Sequence, residues 1–568
     1  MSKINARNES GAVSRRDFLT LTAAAGAVAA VGLSGCSTKT AAESEKPATE
    51  EKQAAPTVSD DQISNTVEAD VIVVGLGLAG VAAMRAAAES GLKVIGVEKC
   101  STPSGRSNMF AAFGTDRTRA IGAADLDPAD VANELMIQMS HRADYRVISK
   151  WLHHCGEAFE WYVDALADVQ WLAPGEPAPE DPEQVYIITG DADFSGSGEY
   201  RFGVDHERTF FGGCCQIMTP SFTHRPVLEA NVEKALATGN AQTVFDSPAV
   251  QLDVSNSDGR ITGVVCQNIA DQTYTRYSAS KGVILATGGY SYNDDMLKQY
   301  APWVYANKDK YLFSHEAMDR NGNHADMGDG QRMGIAAGGH VDVGPHAIMA
   351  HILQFGATYF IEVNEHGLRF CNEDLSMTNV AKIITNQPGS KVFQIVDANW
   401  AEYYPMLDSL LTMIRSSGDG ETYSAEADTL EELAAQLGLK GKYADNLVAS
   451  VKRYNELCDA GRDEDFGKSP EKMHALQGPY KAITYDVLKH TSVDDVSCMR
   501  LLVTMGGLVT DDCARVVNDA LEPIKGLYAV GNVQGSRFVD DYPFSLSGAS
   551  HAAALTYGYL VGKQIAQD

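Results

Sequence analysis

The chain has 568 residues, of which 44% are hydrophobic and 8% aromatic, and it contains 51 glycines. This composition is typical of a globular α/β protein and excludes a disordered or fibrous chain, while the length predicts more than one lobe. The formal net charge of -29 excludes nucleic acid as a partner, because a polyanion would be repelled and no basic stripe offsets the acidity.

The amino-terminal segment predicts export. Residues 14–19 read SRRDFL, an apolar run rich in Ala and Gly follows, and LSGC ends at Cys36. This order is typical of a twin-arginine signal with a lipobox, cut before Cys36, which is then acylated. The alternative, a permanent membrane span, fits less well because the run is short. We therefore expect a signal at 1–36, a flexible linker at 37–66 and a lipid anchor on the extracytoplasmic face of the cell membrane.

A dinucleotide-binding unit is predicted directly after the linker. Residues 69–74 (ADVIVV) are typical of a buried parallel strand, and GLGLAG follows at 75–80. An alanine-rich helix is predicted over 81–90, and a second strand over 93–97 ends at Glu98. Strand, glycine turn, helix, strand and acid come in the order that a dinucleotide fold requires.

Each position of this motif has a physical reason. Gly75 permits the tight turn, Gly77 lets the backbone approach the pyrophosphate, and Gly80 lets the helix pack on the strand. The amino end of the helix then faces the phosphates. The Glu98 carboxylate can accept hydrogen bonds from the ribose hydroxyls.

Two distant segments favour FAD over NAD. Residues 281–289 (KGVILATGG) predict a strand that ends in an ATGG turn, and residues 526–532 read GLYAVGN. The second segment resembles the flavoprotein segment whose last residue, often an acid, binds the ribityl chain. That residue is Asn532 here, and its amide can still hydrogen-bond a hydroxyl. The distance between the segments implies a nucleotide domain interrupted by an insertion.

The ten cysteines include no CxxC or CxxCH pattern, and the histidines do not cluster. Neither haem attachment nor a closed zinc site is therefore predicted, and we expect no metal ligands. The vicinal pair Cys214 and Cys215 fits either a redox-active pair or, as we favour, two small buried side chains. The sequence leaves open an iron–sulfur cluster built from scattered cysteines.

On these motifs the chain resembles the fumarate reductase and succinate dehydrogenase flavoprotein superfamily, which includes urocanate reductase and the 3-ketosteroid dehydrogenases. The resemblance runs from about Val67 to the carboxyl terminus. It also rests on SGRSN at 104–108, GDG at 328–330, GLRFCNE at 367–373 and TMGG at 504–507.

The resemblance implies an α/β fold with a Rossmann-like FAD-binding domain at 67–345 and 500–568. An α+β capping domain at 346–499 would interrupt it, close over the substrate and exclude water. FAD would be bound non-covalently. The residues implied to contact it are Gly75, Gly77, Ala79, Gly80, Glu98, Lys99, Gly105, Ser107, Asn108, Gly114, Val250, Thr287, Gly288, Asp329, Gly531, Asn532, Gly548 and Ser550.

Three departures from the superfamily argue against fumarate as the substrate. Where fumarate reductases carry a proton-donating arginine, a histidine before TMGG and a second arginine, this chain has Met377, Val503 and Ser545. None of these side chains can neutralise a carboxylate, and an unpaired charge in a closed site costs several kcal/mol.

The resemblance to ketosteroid-type members nominates Tyr542, which precedes Pro543, as the group that polarises a substrate carbonyl. A buried tyrosine that anchors the last turn is the alternative. Arg537 is a candidate clamp for a single carboxylate, against a solvated arginine or one paired with Asp540 or Asp541.

In the predicted cap, His351 lies near the position of a substrate histidine in fumarate reductases, and His346 competes for this role. A histidine among apolar neighbours is more often a core residue. Arg369 and Glu373 match superfamily positions that can serve structure alone. Tyr359 is a weaker acid–base candidate.

We therefore expect an FAD-dependent oxidoreductase that passes a hydride between the flavin and a C=C bond conjugated to a carbonyl or carboxylate. Without haem motifs, its electrons would come from a separate protein, for which a multihaem cytochrome c is the candidate, in anaerobic respiration with an external organic acceptor. The alternatives are a ketosteroid-type or lactone enone reductase or dehydrogenase that uses Tyr542, an enoate reductase that uses Arg537 or another cation, and a flavin electron-transfer lipoprotein without substrate chemistry.

Overall fold

The computed structural model describes residues 58–189, 210–221, 223–313, 317–352, 359–404, 423–488 and 499–567. The predicted signal and most of the predicted linker lie outside these ranges. Within them, no helix combines the length and the apolar character needed to cross a membrane.

The strands of the described residues are β1 (Ile63–Val74), β2 (Val94–Val97), β3 (Met109–Ala111), β4 (Gln170–Trp171), β5 (Tyr186–Thr189), β6 (Cys214–Met218), β7 (Ala241–Val244), β8 (Ala249–Val254), β9 (Ile261–Gln267), β10 (Tyr274–Leu285), β11 (Leu312–Phe313), β12 (Ala347–Ile352), β13 (Ile361–Asn364), β14 (Lys391–Asp397), β15 (Ala425–Ala427), β16 (Tyr480–Asp486), β17 (Met499–Met505), β18 (Arg515–Val517) and β19 (Pro523–Ala529). The α-helices are α1 (Leu78–Glu89), α2 (Asp116–Ala120), α3 (Pro128–Gln138), α4 (Tyr145–Val163), α5 (Arg225–Ala237), α6 (Asp294–Tyr300), α7 (Pro302–Ala306), α8 (Asp329–Ala336), α9 (Met377–Thr385), α10 (Trp400–Tyr403), α11 (Leu430–Gln436), α12 (Lys442–Asp459) and α13 (Ala549–Gln564).

The largest sheet has the strand order β18-β19-β10-β1-β2-β7, and β9 extends it by pairing with both β10 and β8. Five adjacent strands of this sheet run parallel to one another: β19, β10, β1, β2 and β7. The end of β1 is buried on both faces, as a central parallel strand requires. Val71 and Val73 face one core, and Ile72 and Val74 face another.

The two ends of the described chain meet on this sheet. Helix α1 follows β1, and α13 packs closely against it. A Cβ atom at Gly558 would overlap the carbonyl oxygen of Ala79, and one at Gly562 would overlap that of Ala83. These small residues let the helix backbones approach, so the amino-terminal glycine turn and the carboxyl-terminal segment form one structure.

A second four-stranded sheet, β13-β14-β16-β15, is antiparallel. It lies within the predicted cap and packs with α11 and α12 around its own buried core. Strands β12 and β17, which lie at the two predicted limits of the cap, pair antiparallel from Ala347↔Met505 to Ile352↔Met499. The chain therefore enters and leaves this region on neighbouring strands.

The remaining four-stranded sheet, β3-β6-β5-β4, carries the vicinal cysteines on β6. Cys214 and Cys215 are both fully buried, which agrees with the packing interpretation. The eight cysteines within the described ranges are free thiols, and no three of them come within ligand distance of one another.

Candidate active site

A cavity of about 370 Å³ lies where both halves of the nucleotide fold meet. The glycine turn after β1, the end of β2 and the turn after β10 line it from one side. The segment after β19 and the start of α13 line it from the other. It lies at the carboxyl ends of the parallel strands, where open α/β sheets bind their ligands.

The glycine turn is shaped by its backbone. Gly75 has φ +96°, and a Cβ there would lie 2.5 Å from the carbonyl oxygen of Ala286. A Cβ at Gly80 would overlap the carbonyl oxygen of Gly75. At Gly77, by contrast, no protein atom lies closer than 3.8 Å to such a Cβ, so the space that this glycine leaves open belongs to the cavity.

Helix α1 begins at this turn with Gly77 as its N-cap, and no side chain caps it. The amides of the first turn have no partner within the helix, and together with the helix dipole they favour an anionic group such as a pyrophosphate. The turn therefore fits the phosphates of a dinucleotide.

Glu98 is buried at the end of β2. Its carboxylate accepts hydrogen bonds from the amides of Leu76, at 2.6 Å, and Cys100, at 2.9 Å. These bonds hold the carboxylate at the cavity wall, where its remaining lone pairs can accept ribose hydroxyls. Beside it, Lys99 Nζ lies 2.5 Å from Asp329 Oδ2, so two charged groups of the wall neutralise each other.

Thirteen of the residues implied to contact FAD line the cavity: Gly75, Gly77, Ala79, Glu98, Lys99, Ser107, Thr287, Gly288, Asp329, Gly531, Asn532, Gly548 and Ser550. Five do not: Gly80, Gly105, Asn108, Gly114 and Val250. Gly80 packs behind the turn, as expected from its predicted role. On β8 it is Ala249 that lines the cavity, because successive side chains of a strand point to opposite faces.

Tyr542 lines the cavity near the start of α13, and only 3% of the residue is exposed. Its hydroxyl oxygen accepts a hydrogen bond from the amide of Ser550 at 3.2 Å. Burial raises the pKa of this phenol to about 12. Since the oxygen accepts the amide, the hydroxyl proton is directed elsewhere and can be donated to a ligand oxygen.

Arg537 lies behind the cavity wall instead of in it. Its guanidinium is fully buried, and Nη2 donates to the carbonyl oxygen of Gly531 at 2.6 Å and to Oδ1 of Asn532 at 3.4 Å. The alternative ion pairs are also absent, because Asp540 pairs with Arg142 and Asp541 with Lys382. In this arrangement Arg537 supports the Gly531–Asn532 turn and is not exposed to a cavity ligand.

The two histidines predicted in the cap differ in what the structure describes. His351 lies on β12, and its side chain is outside the described part of the chain. His346 is buried, with Nδ1 2.7 Å from the hydroxyl of Tyr290 and Nε2 2.7 Å from the carbonyl oxygen of Asp342. Both ring nitrogens are engaged and His346 does not line the cavity, so its environment is that of a core histidine.

The charged residues that match superfamily positions in the cap form a buried cluster away from the cavity. Arg369 donates to both carboxylate oxygens of Glu373, at 2.9 and 2.8 Å, and to Asp463 at 2.8 Å. Lys468 Nζ lies 3.4 Å from Glu373. This arrangement agrees with the structural interpretation. Tyr359 is not part of the cavity lining either, and it packs on Tyr404 at 4.5 Å between ring centroids.

Several further residues that line the cavity were not predicted from the sequence. They are Arg106, Met109, His224, Met349, Leu502, Phe544 and His551. Arg106 is part of the SGRSN motif at 104–108, so the motif could have predicted its place at the cavity. The others come from separate strands, turns and the start of α13, and no local pattern marks them.

The parallel sheet, the glycine turn and the buried acid define a dinucleotide-binding fold, whose cavity is lined by residues near both ends of the described chain. The chain belongs to the family described as FAD binding domain, whose model matches residues 70–542. This match confirms the predicted FAD cofactor and the predicted α/β flavoprotein fold.

Two relatives and one solved structure extend this result. The chain is 26% identical to 4-oxocyclohex-2-ene-1-carboxylate 5-dehydrogenase of Sinomonas cyclohexanicum, over 89% of this chain and 95% of the relative. It is 26% identical to vinyl phenol reductase of Lactiplantibacillus plantarum, over 88% and 96%. The structure of 3-ketosteroid-Δ4-(5α)-dehydrogenase from Rhodococcus jostii RHA1 in complex with 4-androstene-3,17-dione superposes with a TM-score of 0.64 and 22% identity, covering 90% of this chain and 99% of that one.

These comparisons confirm the predicted flavoprotein superfamily and the prediction of an FAD-dependent oxidoreductase, and the ketosteroid dehydrogenase structure shows the same fold. The individual FAD contacts and the catalytic roles of Tyr542, His351 and Arg537 stay predictions.

Proposed function

We propose that this flavoprotein reduces, or in reverse forms, a C=C bond conjugated to the carbonyl group of a small organic molecule. The observation that carries the proposal is the Tyr542 hydroxyl, held at the cavity by the Ser550 amide with its proton free to donate. The name of one relative supports the conjugated carbonyl, since that relative acts on a cyclic enone carboxylate, and the name of the other, a vinyl phenol reductase, supports reduction of a C=C bond alone.

FAD bound in this cavity supplies hydride chemistry, and the protein supplies position, proton donation and exclusion of water. Tyr542 donates a hydrogen bond to the substrate carbonyl oxygen, which withdraws electron density from the β-carbon. The same bond strengthens as negative charge develops on that oxygen. Its high pKa, caused by burial, keeps the proton on the phenol until that moment.

The side chains around Tyr542 favour an uncharged carbonyl compound over a dicarboxylate. Met109, Met349, Val503 and Phe544 line this end of the cavity, and none can pair with a carboxylate. We therefore propose that fumarate is not the substrate. The apolar wall favours an enone, whose ring or chain it can bury.

An enoate is the second candidate, because Arg106 also lines the cavity. Its guanidinium lies 3.8 Å from Asp326 and 3.4 Å from the carbonyl oxygen of Leu502, so both contacts are long. A single substrate carboxylate could compete for it. An Arg106→Met variant separates the two candidates, since it should abolish turnover of an enoate and spare that of a neutral enone.

The proposal extends to location and electron supply. The twin-arginine motif and Cys36 support an exported lipoprotein on the extracytoplasmic face of the membrane. NAD(P)H is a cytoplasmic reductant, so we propose a separate electron-donor protein, with a multihaem cytochrome c as the candidate, and a respiratory role with an external organic acceptor.

The test is to reduce the purified FAD-loaded protein anaerobically and to follow flavin reoxidation by visible absorbance with a panel of enones, enoates, lactones and fumarate. We expect rapid reoxidation by at least one enone and none by fumarate. Reduced flavin that no compound reoxidises would contradict the proposal and support the alternative of a flavin electron carrier.

A further inference from the structure

His551 lies at the Tyr542 end of the cavity, which we call the reacting end. It is the third residue of α13, one residue after Ser550, whose amide binds the Tyr542 hydroxyl. The imidazole ring lines the cavity. Since the reacting ring of FAD must meet the substrate where Tyr542 polarises it, His551 lies beside the place where electrons enter and leave the cofactor.

The protein fixes one ring nitrogen of His551 and leaves the other free. Nδ1 lies 3.2 Å from the carbonyl oxygen of Met109, and a carbonyl only accepts, so Nδ1 carries the hydrogen. Nε2 is then the basic nitrogen. It has no hydrogen-bond partner among the described residues, and the ring borders the cavity.

Among His551 and its titratable neighbours His224 and Tyr542, His551 is the group that we expect to change its charge. Burial, and after it the charge of nearby Arg106, lower the pKa of His551 to about 4 against the opposing effect of the Met109 carbonyl, so the imidazole is neutral at neutral pH before the cofactor is reduced. His224, whose ring centroid lies 5.7 Å away, is held neutral because burial lowers its pKa. Tyr542 keeps its proton because burial raises its pKa to about 12.

We propose that His551 takes up a proton when FAD in this cavity is reduced, and that it thereby sets how the reduction potential depends on pH. An external reductant supplies two electrons. Two electrons and one proton reaching FAD would add one negative charge to the cofactor, and a second proton would bind Nε2 of His551 to give an imidazolium. Two electrons and two protons enter, so the net charge of the buried site does not change.

The physical reason is electrostatic. A negative charge added in a low-dielectric site favours the charged form of a neighbouring base, and protein charges near a flavin tune its potential. The proposal rests on the proposed function for placing the reacting ring at the Tyr542 end, but it does not depend on which substrate is used.

The test is a spectroelectrochemical titration of the FAD-loaded protein without substrate, from about pH 5.5 to about pH 7.5. His551 is neutral across this range before reduction, and the negative charge gained on reduction should raise its pKa above the range, so that it binds a full proton. For two electrons each coupled proton contributes about 29.6 mV per pH unit. We expect the wild-type midpoint potential to fall by about 59 mV per pH unit and that of His551→Asn by about 29.6 mV per pH unit. Asparagine can still donate to the Met109 carbonyl but cannot titrate.

His154→Asn is the matched control, since His154 is a solvent-accessible histidine on α4 with 41% of its side chain exposed, and its slope should equal that of the wild type. A wild-type slope of one proton, or equal slopes in the wild type and His551→Asn, would overturn the proposal. If both His551→Asn and His551→Gln lose FAD, His551 is a binding residue and the proposal is likewise wrong. Because no substrate is present, failure of the enone hypothesis would not affect this result.

Discussion

The two ends of the cavity are built in different ways. At the nucleotide end, backbone atoms do most of the work: Gly75 and Gly77 shape the turn, and the first amides of α1 face the cavity. At the reacting end, side chains such as Tyr542, His551 and Met349 form the wall, and they come from α13, its preceding loop and β12. A backbone site tolerates few sequences, whereas a side-chain site can change its chemistry residue by residue.

The largest effect should come from the nucleotide end. Gly75→Ala should lose most of its FAD, because the new Cβ meets the Ala286 carbonyl at 2.5 Å and φ +96° is strained for alanine. Together these cost about 3 kcal/mol or more, about 100-fold in affinity. FAD absorbance per protein after gel filtration measures the loss.

Gly91→Ala is its matched control. Gly91 has φ +87°, but no atom lies within 4 Å of its Cβ position. It should cost only the backbone strain, about 1–2 kcal/mol of stability, and should keep FAD. Equal FAD loss in both variants would show that strain alone, not the shape of the turn, controls binding.

At the reacting end, Tyr542→Phe should lower kcat with an enone by about 100-fold to 1000-fold, the usual effect of removing one donor to a developing oxyanion. FAD content should stay unchanged, because the hydroxyl contacts the Ser550 amide and not the nucleotide turn. Stopped-flow reoxidation of reduced flavin measures the rate. Full activity in this variant would remove Tyr542 from the mechanism.

Arg537→Met tests the structure between the two ends. It removes a charged donor to Gly531 and Asn532, worth about 1.5–3 kcal/mol for a hydrogen bond to a charged group, so FAD affinity should fall about tenfold or more. Arg146→Met, at a side chain that is 70% exposed, should leave the affinity for FAD unchanged, because surface substitutions away from a site have little effect. Fluorescence titration of apoprotein with FAD measures both.

The smallest effect concerns pH. Because burial raises the pKa of Tyr542 to about 12, its donor form persists as the pH rises past the ordinary tyrosine pKa of about 10. The ratio of wild-type to Tyr542→Phe rates should therefore stay constant from neutral pH to about pH 10. A ratio that falls within this range would mean that the phenol is not shielded as the structure describes.

The sequence predicted most residues of the nucleotide end of the cavity and few residues of the reacting end. Glycine spacing and a terminal acid placed Gly75, Gly77, Glu98 and Asn532 at the cavity, because local conformation dictates those residue types. Val250 was predicted to contact FAD, but its neighbour Ala249 lines the cavity. A shift of one residue along a strand turns the side chain to the opposite face.

Arg537 and His551 show why the rest could not be predicted. Nothing local reveals that a guanidinium will be buried against backbone carbonyls, and nothing in an alanine-rich helix marks its third residue as a cavity wall. Both positions depend on how α13 and the preceding loop pack against β3 and the turn after β19, which only the fold determines.

The β12–β17 ladder has a further consequence. A segment that leaves and rejoins the rest of the fold on two paired strands is attached at one place, so its replacement would not require a change in the nucleotide-binding sheet. Proteins with this architecture could therefore acquire new substrates by exchanging the segment between β12 and β17 while the nucleotide-binding turn stays unchanged.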